Sequence, residues 1–401
     1  MILPGILVAW ALLLLVQEGP APTTLLPKPP DDSPGGTAQS MEGEKDRLPA
    51  RLSVSVIGDQ EHFELLNELS EEWEGKHPSW QVTLSQSISS DGGQDFDVRM
   101  VENSRVIPLA SSGKLLPADG LVSSGNGEAN ESGFNSFARD LRWRGYWWGT
   151  QAFGDPVVLI WSRQLLEKAK LQHWPVDWAD MQRLMGLYPE RSAVTVSRQN
   201  GAEALAWLQY WHGKQASSDP ALLQAALTPG VQGAAMLSVT ATPAEAMEQV
   251  RQGRSLSAVV PWSYYWESAD VFEADLAFVS AGGSALRNEF SFVISSDTEF
   301  SVAAGSWIAA VTSSEAQERL YRATGKLPSD PGLYTEESVT AGGSRPPTAW
   351  KKPLFQEDHA VKGFTPEQAA AFQPLWLAYW ASGGGMSPQQ LAVSWNEHLE
   401  G

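Results

Sequence analysis

The side chains best placed to do chemistry are aromatic rings and planar polar groups gathered in short runs. Trp143, Tyr146, Trp147, Trp148 and Phe153 precede a Gly154-Asp155-Pro156 break, and a second run places Trp262, Tyr264, Tyr265 and Trp266 after Pro261. Polar clusters sit elsewhere: Asp59 with Gln60, the group Glu102, Asn103, Ser104 and Arg105, and Asn200 with Gly201. A flat ring offers a platform to a C–H face, and carboxylate, amide and guanidinium groups give paired hydrogen bonds to a hydroxyl rim. The chemistry these types support is reversible binding of a small hydroxyl-rich molecule. Each also has a structural reading. Asp59 fits a helix N-cap, Glu102 and Arg105 a solvated ion pair, Asp155 a turn, and Trp148, Trp207, Trp262 and Trp266 a core.

Bond-making constellations are missing from the pattern. The histidines (His62, His77, His173, His212, His359, His398) are scattered without metal-ligand spacing, and Cys is absent, which removes thiol catalysis, thiolate metal sites and disulfides. No nucleophile elbow or phosphate loop occurs, and Gly125-Asn126-Gly127 lacks the third glycine of a dinucleotide loop. Asp95 and Asp97 lie two apart on a predicted strand and so share a face, while Glu71, Glu72 and Glu74 read as a solvated helix face. No cofactor and no metal is expected. A net charge of −19 without a Lys/Arg cluster repels phosphate backbones, so nucleic acid is not an expected partner.

The elements that must hold these residues follow from apolar periodicity. With 401 residues, 42% of them hydrophobic, two lobes are expected. Leu52, Val54 and Val56 alternate with serines as a strand ending at Gly58-Asp59-Gln60, and Leu65, Leu66, Leu69 and Trp73 keep helical spacing over 63–73. Trp80, Val82 and Leu84 give a second strand and 96–101 a third, whose end meets a polar loop at 102–105; a helical turn follows near 108–110. This order predicts a largely parallel α/β sheet, whose ligands bind beyond the carboxyl ends of the strands.

Beyond the Gly-Asp-Pro break, 157–161 reads as a strand and 163–170 as a helix, and Asp177 is placed to cap a helix over 178–187. A strand at 193–196, a polar loop at 197–201 and an Ala-rich helix with Trp207, Tyr210 and Trp211 come next. A helix at 243–252 stops at Gly253, and an apolar run at 256–260 leads into the second aromatic run. Residues 290–294 read as a strand; 299–311, 314–321, 366–380 and 388–399 read as helices. Trp376 and Trp380, four apart, share one face.

The chain starts with an apolar run, 1–16, followed by a polar, Pro-rich stretch to about residue 50. The run is like the core of a secretory signal and shorter than the roughly 20 residues of a membrane helix. Export is expected, with the segment either cleaved or kept as an anchor. Without cysteine there is no lipid attachment at one, and membrane contact is expected only through this segment.

Several weak matches, in order, make the chain from Arg51 onward resemble the extracellular solute-binding proteins of carbohydrate uptake, the periplasmic binding protein-like class to which maltose-binding protein belongs. They are LSVSVIGDQ with the helix ending in EEWEGKHP, FDVRMVE followed by SSGKLLPAD, the aromatic-Gly pair before Thr150, VVLIWSRQLLEKA, WPVDWADM, Pro261-Trp262 after QGRSLSAVV, and SSEAQERL followed by GKLPSD. The resemblance implies a type II two-lobed α/β fold, each lobe a mainly parallel sheet flanked by helices, with the ligand cleft at the hinge. It places lobe 1 at 51–153 plus 284–332 and lobe 2 at 154–283 plus 333–401, after a signal or anchor at 1–16 and a tether at 17–50. The lobes close on the ligand by hinge motion. By position it implies ligand contacts from Asp59 and Gln60, from Glu102, Asn103 and Arg105, from Asn200, and from Trp262 on a sugar face. Trp148, Phe153, Asp155 and Tyr264 complete the expected set. The chain departs from the family pattern at Trp161-Ser162, where Tyr-Asn is usual, and at Leu256-Ser257, where Ala-Met is common.

The function implied is capture of a mono- or oligosaccharide by a monomer that delivers it to an ABC permease, without chemical turnover. A membrane-tethered sensor working with a sensor kinase would use the same fold. A secreted glycoside hydrolase is the rival from another class, and it needs two carboxylates at a set separation, which nothing in the sequence singles out.

Overall fold

Leu52, Val54 and Val56 are fully buried, so the alternation that marks β1 (Ala50–Val56) is that of a strand with its apolar face in a core. The computed structural model describes residues 49–87, 96–122, 141–171, 174–175, 177–212, 219–228, 236–268, 274–278, 288–335, 345–355, 364, 366–381 and 386–400. The apolar segment 1–16, all but the end of the tether, Asp95, Gly125-Asn126-Gly127, His173 and His359 lie outside them.

After β1 come α1 (Gln60–Lys76), β2 (Trp80–Gln86), β3 (Val98–Glu102), α2 (Asn103–Ser111), β4 (Leu115–Leu116), β5 (Arg142–Trp143), β6 (Tyr146–Trp147) and β7 (Thr150–Gly154). The chain continues through β8 (Val157–Ser162), α3 (Arg163–Lys168), α4 (Trp178–Leu187), β9 (Val194–Ser197), α5 (Gly201–His212), α6 (Pro220–Leu227), β10 (Leu237–Thr240), α7 (Pro243–Arg251), β11 (Ser257–Pro261), α8 (Trp262–Ser268) and β12 (Ala274–Phe278). It closes with β13 (Glu289–Ser295), α9 (Ser301–Val311), α10 (Ser314–Thr324), α11 (Lys351–Phe355), α12 (Pro366–Ala381) and α13 (Pro388–Glu400).

Two sheets result. The first runs β2-β1-β3-β13-β4, with β7 also on β13, and the second runs β10-β9-β11-β8-β12. Both are mixed. Pairing is parallel across β2-β1-β3 and β10-β9-β11, and antiparallel where β13 and β8 return through the sheets. The parallel character expected for each sheet is confined to these three-strand halves; β8 enters its sheet straight from β7 of the other, without the helical crossover that a parallel neighbour requires. The carboxyl ends of the parallel strands are Val56, Gln86 and Glu102 in the first sheet and Ser197, Thr240 and Pro261 in the second.

Each sheet has its own core. In the first lobe Leu65, Leu66, Leu69 and Trp73 of α1 pack with β1, β3 and Trp307 of α9. In the second, Trp161, Trp207, Trp376 and Trp395 share a core in which α12 closes over α5 and α13 over α6 and α12. Capping fixes the helix starts: Asp177 accepts from the Asp180 amide at 2.8 Å at the head of α4, a contact typically worth ~1 kcal/mol. The β5-β6 hairpin turns through Arg144 (φ 52) and Gly145 (φ 87), the pair of positive φ angles that a two-residue hairpin loop needs.

The loop expected at 102–105 is instead the first turn of α2. Val106 and Ala110, four apart, are its buried contacts, and its polar first turn gives no apolar period to read. Phe96 falls outside β3. α6 and the edge strands β10 and β12 are among the elements without a clear signal in the sequence; for the two strands, four or five residues at an edge show little alternation.

Candidate functional site

The two lobes meet where the chain crosses between sheets. β7 ends at Gly154 and β8 begins at Val157. Gly154 and Leu327 exchange backbone hydrogen bonds at 2.9 and 2.8 Å, and Asn288 bonds Asp155 twice, from its carbonyl to the Asp155 amide at 3.2 Å and from Nδ2 to the Asp155 carbonyl at 3.1 Å. Three crossings therefore touch at one point. Asn288 holds φ 45 there, a left-handed conformation that Asn tolerates better than most residues.

On the first lobe the turn after β1 brings Asp59 to this point. One Asp59 oxygen accepts from the His62 amide at 2.8 Å, capping α1, and the other forms an ion pair with Lys326. The cap and a charged contact are thus both made by the same side chain, which is still about half exposed. Lys326 is 6% exposed, and its ammonium lies 5.1 Å above the centroid of the buried Phe153 ring. His62, also buried, meets Phe153 edge-on at 4.9 Å. A Cβ on Gly58 would stand 2.5 Å from His62 Nδ1, so glycine there makes room for the imidazole.

Charge follows from this packing. Burial alone would raise the Asp59 carboxyl; the Lys326 charge and hydrogen bond, helped by the His62 amide, outweigh it and hold the group below its ordinary value. Burial and the Lys326 charge push the His62 imidazole down to about 3, against the pull of Asp59. Asp155 moves the other way. Burial raises its carboxyl, although the Ser263 hydroxyl and amide donate to it at 2.7 and 2.9 Å.

The remaining first-lobe residues divide by exposure. Gln60 is exposed and donates to Glu64 at 2.8 Å; Glu102 is exposed and Arg105 half-buried. Asn103 is buried, its Nδ2 donating to Glu289 at 3.1 Å and its Oδ1 accepting from Ser291 at 2.6 Å. Trp148 is half-buried with its indole N–H on the Trp143 carbonyl at 2.9 Å. Phe153 is enclosed under Lys326 and His62.

On the second lobe, Asn200 Oδ1 accepts from the Ala202 amide at 3.1 Å at the start of α5, and Gly201 lets α12 close in, since a Cβ there would meet Phe372 at 2.9 Å. The second aromatic run turns mostly inward. Trp262 is fully buried, 5.3 Å edge-on from Trp350, and Trp207 is fully buried against Trp178. Trp266 packs on Gly325 and Tyr321 at the end of α10. The helical repeat of α8 decides this, because only Tyr264, 40% exposed, lies on its outer side. Burial raises the Tyr264 phenol, with the charges of Asp155, Glu267, Asp59 and Glu203 adding to the effect, and its neighbour Ser263 is bonded to Asp155 at the crossing.

Lys326, Ser263, Asn288 and Glu203 were not singled out by the sequence reading. Lys326 lies inside the quoted GKLPSD stretch, and a lone lysine after a helix-ending glycine looks like a solvated C-terminal charge. Glu203 had a usable signal, a carboxylate three residues after a capping Asn in an otherwise apolar helix. It is fully buried; one oxygen accepts from the Ser197 amide at 2.6 Å and the other has no partner. Burial pushes its carboxyl well above its ordinary value.

Residues 74–347 match the family described as bacterial extracellular solute-binding protein. The chain belongs to that family. Solute-binding proteins of this family are exported, and the two-lobed α/β architecture is shared with solved structures. The GacH receptor of Streptomyces glaucescens, solved unliganded and with acarbose, is 14% identical over 88% of this chain and 98% of its own, with TM-score 0.60. Maltose-bound MalE3 of T. maritima is 13% identical over 88% of this chain and 99% of its own, with TM-score 0.60. Lmo0181 of Listeria monocytogenes, in complex with cycloalternan, is 13% identical over 88% and 98%, with TM-score 0.60. No curated protein matches the sequence. Among the described residues of this solute-binding protein, no group of three or more His, Asp or Glu could hold a metal ion.

Proposed function

We propose that this solute-binding protein captures a neutral mono- or oligosaccharide between its lobes, without chemical turnover, and delivers it to an ABC permease in the membrane. The observation that carries the reading is that an exposed aromatic, Tyr264, follows Ser263, which is bonded to Asp155, and a charge-held acceptor, Asp59, is paired with Lys326, whose neighbour Leu327 is bonded to Gly154, so both flank the same crossing. A ring and a fixed carboxylate are the pair a sugar needs, one for its C–H face and one for its hydroxyls. The carbohydrate ligands named for structures of the same fold, acarbose, maltose and cycloalternan, support the class of ligand.

In this reading Asp59, Gln60, Glu102 and Tyr264 meet the ligand directly, with Trp148, Arg105 and Asn200 at the rim. Asn103, Phe153 and Trp262 support from behind, and Asp155 belongs to the hinge. Lobe 1 comprises 51–153 and 284–332 and lobe 2 the rest from 154, and the apolar segment 1–16 tethers the monomer to the outer face of the membrane. A thermal-shift screen with mono- and oligosaccharides tests the proposal. Stabilisation by at least one sugar is expected. Stabilisation by a peptide or metal and by no sugar would overturn the ligand class.

A further inference from the structure

The Lys326 ammonium is set where three parts of the molecule meet. It follows Gly325, the left-handed residue (φ 69) that ends α10, and its neighbour Leu327 is bonded in both directions to Gly154. Its side chain reaches past the Phe153 ring to Asp59, in the turn that begins α1. One residue thus joins the third crossing, the end of β7 and the first-lobe turn. A lysine buried to 6% exposure loses most of its hydration, and such a position is tolerated when a carboxylate faces it. The contact is asymmetric: the Asp59 side chain stays about half exposed while the ammonium is covered. Of the two, only the carboxylate is left with lone pairs facing solvent.

We propose that Lys326 is a positioning residue of the ligand site: it fixes the Asp59 carboxylate as an ionised, oriented acceptor and ties it to the hinge backbone at Gly154 and Leu327. The inference rests on the proposal that Asp59 meets the ligand. An aspartate without this partner would turn toward solvent, take up a proton on mild acidification and lose its acceptor geometry. Asp59 is paired with Lys326 from the third crossing and accepts from His62 of α1, and its charge bears in turn on Asp155 of the first crossing and Tyr264 of α8. His62 is neutral above about 3, and Tyr264, raised from the usual phenol range, is neutral too. In mild acid Lys326 is therefore the one cation among these four. Asp155, raised by burial and by the Asp59 charge, holds its proton where Asp59 has already ionised, so Asp59 is the charged acid of the two.

The test needs no ligand. In the full chain, the side-chain carboxyl carbon of Asp59 is followed by NMR against pH in wild type, Lys326→Met and Lys326→Arg, with Asp59→Asn and Asp155→Asn used to assign the two resonances. Lys326→Met keeps the aliphatic stem over Phe153. The expected result is an Asp59 midpoint raised by about one unit or more in Lys326→Met and returned most of the way in Lys326→Arg. Affinity for any sugar that stabilises the protein would fall severalfold between pH 7 and pH 4.5 in Lys326→Met, as the raised carboxyl takes up its proton, and stay level in wild type. An Asp59 midpoint unchanged by Lys326→Met overturns the inference. Failure of the underlying reading looks different: the midpoint moves as expected, but Asp59→Asn binds the stabilising sugar as wild type does, or no sugar stabilises the protein.

Discussion

The two faces of the crossing point are built from opposite materials. On the first lobe the groups at the strand ends are polar and mostly answered, Asp59 by Lys326 and the His62 amide and Asn103 by Glu289 and Ser291, while His62 Nδ1 and the Gln151 amide group have no partner. On the second lobe large rings turned inward dominate the core behind the strands, with the indole N–H groups of Trp161, Trp207, Trp262 and Trp376 lacking a hydrogen-bond partner, and a buried acid, Glu203, half satisfied. An unanswered buried polar group costs about 1–3 kcal/mol, so the second lobe gives up stability that ring packing has to offset. The difference teaches that tryptophan content is a poor guide to ligand contacts here. Of 18 Trp, Trp161, Trp207, Trp262, Trp307, Trp376 and Trp395 are among the largest fully buried side chains, while the exposed ring at the crossing is a tyrosine.

The largest test of the comparison is Trp262→Ala. A fully enclosed indole against Trp350 makes this a cavity substitution, and a loss of about 3–5 kcal/mol is expected in denaturant unfolding. A loss below about 1 kcal/mol, with sugar affinity abolished, would move Trp262 from the core to the ligand.

Next in size is the pH response of the first lobe. His62 has a folded value of about 3 against 6.5 when unfolded, so the unfolded chain binds the extra proton in between. Stability from this group is intact above pH 6.5 and declines as pH falls toward 3, by ~1.4 kcal/mol per pH unit and about 2 kcal/mol by pH 5. Urea midpoints measured from pH 7 to pH 4.5 should show that slope, and His62→Gln should flatten it. An equal slope in the variant would assign the acid sensitivity elsewhere.

Glu203 gives the opposite sign on the second lobe. Its folded value is raised above 4.5, so its cost appears above pH 4.5, as the unfolded chain releases a proton that the folded one holds. Glu203→Gln, which keeps an acceptor for the Ser197 amide, should stabilise by about 1 kcal/mol at pH 8 and by nothing at pH 4. Equal melting temperatures at pH 8 would remove Glu203 from the account. The smallest effect expected is that of Arg319→Ala, which cuts the ties from α10 to Glu68 and Glu72 of α1 at 3.0 and 2.7 Å. These groups are largely exposed, so about 0.5 kcal/mol is the scale, read from the shift in a urea midpoint.

Much of this was legible in the chain, and the pattern of what was not has a physical cause. β1, α1, β2 and α4 with its Asp177 cap rest on signals carried by neighbours in sequence, alternation, helical spacing and a capping oxygen. The fate of the run at 262–266 does not. Which of four adjacent aromatics faces outward depends on the register of α8, and on Gly325 and Trp350 arriving from 59 and 88 residues beyond the rings they meet, Trp266 and Trp262. Asp59 shows both cases in one side chain: its cap is local and readable, and its partner Lys326 lies 267 residues on. The polar turn at 102–105 was seen as a site and missed as a helix, because Asn103 gains its burial from β13 and not from its neighbours.

The central claim is that a saccharide is held between the lobes and released unchanged. Its most direct test is equilibrium binding of the sugar that most stabilises the full chain, followed by mass analysis of the sugar recovered from the complex. The account predicts one sugar bound per chain, recovered intact, with binding lost in Asp59→Asn. Recovery of a cleaved sugar, or saturable binding that Asp59→Asn and Tyr264→Ala both leave untouched, would contradict it.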